Sequence, residues 1–197
     1  MNKLIENKGP KINVFDQVAE FYESLKEKIV NAGINAYNSP EEIEKINLFP
    51  NVKETLSKLR EKYKIILVSS GIRGRQEKKL ELLGLRDSFD LILIDDISEK
   101  LSKEDRFLAA ARNFKLNYNE LIVVGDRVFS EIRIGNMLGM TTVQMMQGMY
   151  STLVPTKGLA TPDFSIQKIE EIEGVLHKLS KMKDPKIVVL GGGTGLP

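Results

Sequence analysis

The sequence contains no cysteine and no tryptophan, and only one histidine, His177. Without thiols there can be no disulfide, no thiolate metal centre and no cysteine nucleophile. A single imidazole excludes a zinc site built on two histidines and confines any Ser-His-Asp triad to His177. Long apolar runs are also missing. The longest, such as Ile65–Val68 and Leu121–Val124, fall far short of the roughly 20 residues a membrane helix needs. The opening Met1-Asn2-Lys3-Leu4-Ile5-Glu6-Asn7-Lys8 lacks the apolar stretch of a signal peptide. Nor is there an excess of charge: 29 Lys and Arg face 27 Asp and Glu, a net +2, which gives no electrostatic footprint for nucleic acid. Together these absences predict a cytoplasmic protein with neither a membrane nor a nucleic-acid partner.

What is present suits a globular chain. Its 197 residues, 42% hydrophobic and 28% charged, can bury a core without covalent staples. Five short runs rich in β-branched residues read as buried strands: Ile65–Val68, Leu91–Ile94, Leu121–Val124, Thr141–Gln144 and Ile187–Leu190. Stretches of helical spacing separate the first four. Arg75–Leu83 ends at Gly84, Glu104–Asn113 follows the N-cap residue Ser102, and Phe129–Leu138 ends at Gly139. Strand alternating with helix predicts a parallel sheet. Before it, Val14–Ala32 places Phe15, Val18, Phe21, Tyr22, Leu25 and Ile29 on one stripe, and Ser39-Pro40-Glu41-Glu42 reads as a capping box opening a second helix. Pro50–Glu61 reads as a third helix. After the sheet, Gln167–Ser180 is amphipathic, with His177 on its surface.

Ligands of open parallel sheets bind at the carboxyl ends of strands, so the residues after each run are the candidates. Ser69, Ser70 and Gly71 follow the first, and Asp95 and Asp96 follow the second, ahead of Lys100 and Lys103. Gly125 and Asp126 follow the third, ahead of Glu131. A hydroxyl with nearby backbone N–H groups can bind phosphate oxygens, and a lysine adds a point charge. Asp126 and Glu131 offer oxygen ligands for Mg²⁺. Lys103 stands in the first turn of a helix, where a cation opposes the helix dipole. Each piece alone has a plainer reading: a strand-to-helix turn for Ser69-Ser70-Gly71, a surface charge for Lys103, a turn and N-cap for Gly125-Asp126, and a strand terminus for Asp95-Asp96.

In order and spacing these pieces resemble the haloacid dehalogenase superfamily, over about residues 48–146. Leu48-Phe49-Pro50-Asn51-Val52 looks like the family's entry into its core helix. Ile65-Ile66-Leu67-Val68-Ser69 resembles its second motif, Lys103 (with Lys100 as the neighbouring alternative) its third, and Val124-Gly125-Asp126 with Glu131 its fourth. The resemblance implies a Rossmann-like α/β core with a small helical cap over 1–47. It further implies a Mg²⁺-dependent phosphatase acting on a small phosphorylated metabolite. Ser69, Ser70, Gly71 and Lys103 would hold phosphate, and Asp126 and Glu131 would hold the metal. The family usually has Asp where this chain has Glu131. Its first motif, a strand ending in Asp-x-Asp whose first Asp is the nucleophile, is not found. Asp16 is the nearest candidate nucleophile, although Phe15 and Val18 beside it fit a helical stripe. The catalytic centre is therefore expected to be missing from the chain or lost. In the latter case the alternative is an inactive binding or regulatory module.

Residues 181–197 read as a linker, then a strand and a glycine loop, Ile187-Val188-Val189-Leu190-Gly191-Gly192-Gly193-Thr194-Gly195. The segment resembles the opening of the gluconeogenesis-factor and phospholactate-transferase-like family. That resemblance implies a second, nucleotide-binding domain fused after a core of 48–180.

Overall fold

The computed structural model describes residues 19–39, 41, 43–96, 99, 102–155, 157–181 and 185–192. The chain divides into two units, Met1–Glu44 and Lys45–Pro197.

In the first unit a 3-10 turn, Glu23–Leu25, leads into helix α1, Lys26–Asn38. Of the stretch expected as one helix over Val14–Ala32, residues 26–32 lie in α1, and residues 20–22 are not helical. Phe21, Tyr22 and Leu25, expected on a buried stripe, are exposed. They lie in turns ahead of α1, where helical spacing does not align side chains. Phe15, Asp16 and Val18 fall outside the described residues. Beyond the capping box at Ser39, residues 43–49 have no regular structure. The Ser39 hydroxyl donates to the Glu41 carboxylate at 2.5 Å. Pro50 also disfavours a helical conformation at Phe49.

The second unit is an α/β sandwich. Its strands are β1 (Lys64–Ser70), β2 (Leu91–Asp95), β3 (Leu121–Gly125), β4 (Thr141–Met145), β5 (Phe164–Ile166) and β6 (Ile187–Gly192). All pairs are parallel, in the order β2-β1-β6-β3-β4-β5. The helices are α2 (Val52–Arg60), α3 (Arg73–Leu83), α4 (Lys103–Phe114), α5 (Arg133–Leu138, entered through a π-turn at Val128–Ile132) and α6 (Ile172–Ser180). The four strands expected between 65 and 144 all form. Strand β5 was not expected, because three residues are too few to show a period.

Strand alternation sends alternate residues to two separate cores. On one face Ile65, Leu67, Ile122, Val124 and Val188 meet Leu56 and Leu59 of α2, Leu80 and Leu83 of α3, and Ile172, Leu176 and Leu179 of α6. On the other Ile66, Val68, Leu121, Val123, Ile187 and Val189 meet Phe107, Ala110 and Ala111 of α4. Each fully buried side chain of this size contributes about 1.5–3 kcal/mol. Connections running in one direction along the sheet use the first face, and those in the other direction use the second. This follows from the single hand of parallel crossovers.

The strand expected over Ile187–Leu190 forms inside this same sheet. It pairs with β1 on one side and β3 on the other, and Ile187, Val188 and Val189 have no exposed surface. The chain leaves β1 toward one edge and β3 toward the other, so β6 stands at the switch point of the topology. Open α/β sheets place their ligands outside the strand ends there.

Candidate active site

Two loops beside the switch point are locked to each other. Ser69 shares a strand face with Ile65 and Leu67 and is fully buried, and its hydroxyl donates to Oε1 of Gln76 in α3 at 3.0 Å. The Gln76 Nε2 in turn donates to the Ser70 carbonyl at 3.3 Å. The Ser70 hydroxyl donates to the Asp95 carboxylate at 2.9 Å, and the Gly71 N–H donates to the Asp95 carbonyl at 3.0 Å. Gly71 has φ +141°, and a Cβ there would lie 2.5 Å from Gln76 Nε2. Glycine is therefore required twice over, by backbone and by space. The Arg73 N–H donates to the Asp96 carboxylate at 2.7 Å. Asp95 and Asp96 thus tie the loop after β2 to the loop after β1.

The charged centre lies on the other face. Ser102 and Asp105 form a capping box that starts α4: the Ser102 N–H donates to Asp105 at 2.7 Å, and the Asp105 N–H donates to Ser102 Oγ at 3.2 Å. This fixes Lys103 at the first helical position, 6% exposed, where its Nζ donates to Oε1 of Glu131, which is 0% exposed. A cation at a helix start opposes the dipole, and the buried partner compensates it.

Glu131 reaches Lys103 by crossing two glycines on strand faces that lack a side chain. At Gly125 an added Cβ would lie 2.8 Å from the Glu131 Cβ, and at Gly191 it would meet the Glu131 Cγ head-on. The second carboxylate oxygen, Oε2, is buried with no hydrogen-bond partner. Beside it, the pKa of Asp126 is raised to about 6, first by burial and then by the Glu131 charge; Arg127 and Lys103 pull the other way. The Arg127 guanidinium itself lies over the Tyr150 ring, 5.7 Å from its centre.

Of the residues expected from the sequence, Lys103, Asp126 and Glu131 act on one another. Ser69 and Ser70 end β1 and Gly71 follows it, with the Ser69 hydroxyl committed to α3. Asp16, Lys100 and Gly193–Gly195 lie outside the described residues. His177 is exposed on α6. Gln76 was not anticipated, since nothing in Arg73–Leu83 marks one polar side chain as inward-facing. Gly191 was noted only as part of a phosphate loop, and its relation to Glu131 requires β6 beside β3.

A buried, unpartnered carboxylate oxygen next to an aspartate whose ionisation is opposed by burial is a chemical fit for a divalent cation. Among the described residues no group of three or more His, Cys, Asp or Glu assembles. A cation here would take few protein ligands, which is the habit of Mg²⁺. Among these residues no helix is long and apolar enough to cross a membrane.

The fold and site define an α/β protein with a Rossmann-like parallel sheet and a lysine–carboxylate centre at its switch point. The chain belongs to the haloacid dehalogenase-like hydrolases, whose family model matches residues 7–145. It is 32% identical over 156 residues to a glyceraldehyde 3-phosphate phosphatase of Methanopyrus kandleri, covering 78% of this chain and 66% of that protein. It is 25% identical over 185 residues to the protein of the same name from Methanocaldococcus jannaschii, covering 92% and 79%. The crystal structure of a HAD phosphatase from Thermococcus onnurineus superimposes with a TM-score of 0.55 at 27% identity, covering 66% of this chain and 58% of that one. The chain thus spans about two thirds of the length of the first of these relatives.

Proposed function

We propose that the protein is a phosphatase-type hydrolase that takes a small phosphorylated metabolite together with Mg²⁺. The observation that carries this reading is the buried Lys103–Glu131 pair beside Asp126 at the sheet's switch point. Further support comes from the relatives named for glyceraldehyde 3-phosphate, which makes that compound the first substrate to assay. Lys103 holds a phosphoryl oxygen, and Asp126 and Glu131 would hold the metal. When bound, the cation supplies positive charge against the phosphoryl oxygens. Ser70, Gly71 and the loop they form bound the phosphate from the β1 side, and Ser69 joins them if its hydroxyl turns from Gln76. An attacking carboxylate has to be brought to this centre. Among the described residues Asp126 and Glu131 are the acids that interact there, and both have other work.

Calorimetry with inorganic phosphate, with and without magnesium chloride, tests the binding half. Binding is expected for the chain and is lost in Lys103→Met and in Asp126→Asn. No binding to the unaltered chain overturns the reading. The hydrolytic half is tested with glyceraldehyde 3-phosphate on the chain, on Asp16→Asn, and on a version extended upstream by an Asp-x-Asp strand. Hydrolysis that needs the extension supports the reading.

A further inference from the structure

We infer that Arg127, held on the Tyr150 ring where β3 and β4 end, grips a carboxylate of the substrate, so that the site selects a phosphorylated carboxylic acid over the corresponding aldehyde. The inference rests on the phosphoryl-binding reading above and adds the substrate class to it.

Arg127 directly follows Asp126 and is half-buried. Arg60, Arg73 and Arg106 each form an ion pair with a carboxylate. Among the described residues the Arg127 guanidinium has no such partner, and its contact is the Tyr150 ring, 5.7 Å from the centre. A ring contact does not consume the N–H groups, and the planar fork they form can grip a carboxylate with two parallel hydrogen bonds. The pair is anchored from both sides. Gln144, with no exposed surface, donates from Nε2 to the Leu153 carbonyl at 2.7 Å, and the Leu153 N–H donates to the Tyr150 carbonyl at 3.0 Å. Leu153 packs against Val128, Ile132 and Ala160, and Val128 is the residue after Arg127. The loop after β4 and the turn after β3 thus share one small apolar cluster, which fixes ring and guanidinium together beside the charged centre. That proximity is felt electrostatically: Arg127 favours the ionised form of Asp126. A small substrate whose phosphate lies at Lys103 and Asp126 has its remaining atoms within a few bonds of that centre, where a second anion meets this cation.

The test compares 3-phosphoglycerate, glyceraldehyde 3-phosphate and inorganic phosphate by calorimetry in magnesium chloride. The first two share the phosphate ester and differ at one carbon, carboxylate against aldehyde. The unaltered chain is expected to bind the acid about tenfold or more tightly than the aldehyde, the worth of a charge-assisted hydrogen bond. Where the chain hydrolyses them, the ratio of kcat/KM values is the same readout. Arg127→Met is expected to erase the preference, losing far more affinity for the acid than for the aldehyde. Tyr150→Leu, which keeps the guanidinium but removes its support, is expected to weaken the preference. A purely structural role for the pair would change stability without moving this ratio. Equal binding of acid and aldehyde by the unaltered chain overturns the inference, as does a preference that survives Arg127→Met. A loss of the same size for all three ligands in Arg127→Met assigns the guanidinium to the phosphate and also overturns it. Should Arg127→Met fail to fold, Tyr150→Leu decides, and an undiminished preference there refutes the pair. Absence of inorganic phosphate binding by the unaltered chain is the separate failure of the underlying reading, and the inference falls with it.

Discussion

The hydroxyl of Ser69 donates to Oε1 of Gln76 at 3.0 Å, and the orientation of that amide is set by its other end, which donates to the Ser70 carbonyl. Turning the amide over would set an oxygen against a carbonyl, so Ser69 is held as the donor. Replacing Gln76 by Leu leaves the buried Ser69 hydroxyl without its Gln76 partner, at a cost of about 1–3 kcal/mol. Ser69→Ala added to that variant is expected to cost much less than Ser69→Ala alone. Urea unfolding of the four proteins measures the coupling, and strict additivity would refute the pairing.

Lys103 and Glu131 are buried together, so removing Lys103 strands the Glu131 carboxylate. Lys103→Met is expected to destabilise the fold by about 3–5 kcal/mol. Lys103→Met combined with Glu131→Gln is expected to recover a large part of this, because no unpaired charge remains. Denaturant midpoints at neutral pH check both.

Stability in a metal-free buffer should fall as pH rises through about 6. The Asp126 carboxyl is raised from 3.8 to about 6 by burial and by Glu131. The folded state therefore binds the proton more tightly than the unfolded chain, and the stabilisation is complete below pH 4 and lost above 6. The span is at most about 3 kcal/mol. Comparing the chain with Asp126→Asn between pH 5 and 8 isolates it: the variant's stability should lack this component. Added magnesium chloride should flatten the slope of the unaltered chain, since a cation favours the ionised carboxylate.

Strand β6 pairs on both sides and buries Ile187, Val188 and Val189 completely. Deleting 186–197 should leave β1 and β3 each with an unpaired edge facing the other. Loss of cooperative thermal unfolding is the expected result, followed by circular dichroism. The milder Val189→Ala removes two methyl groups from the α4-side core and should lower stability by about 1–3 kcal/mol. A deletion that unfolds like the full chain would show β6 to be dispensable.

Much of this protein is written in local pattern. Short β-branched runs between amphipathic stretches are enough to predict a parallel sheet, because burial on two faces and crossover helices leave marks a few residues long. Capping is local as well, and Ser102 with its neighbours placed Lys103 at the start of a helix. Asp126 and Glu131 were legible because both follow one strand within a helical turn. Ser39 shows the limit of such signals: residues 43–49, into which its capping box would lead a helix, have no regular structure. What no local pattern carries is which strands lie side by side. Parallel neighbours are joined through distant residues, so the same run Ile187–Leu190 would look identical in its own domain or in the middle of this sheet. Only the tertiary structure set it between β1 and β3. That placement brought Gly191 against the side chain of Glu131, 60 residues earlier in the chain, so that a Cβ at 191 would collide with it.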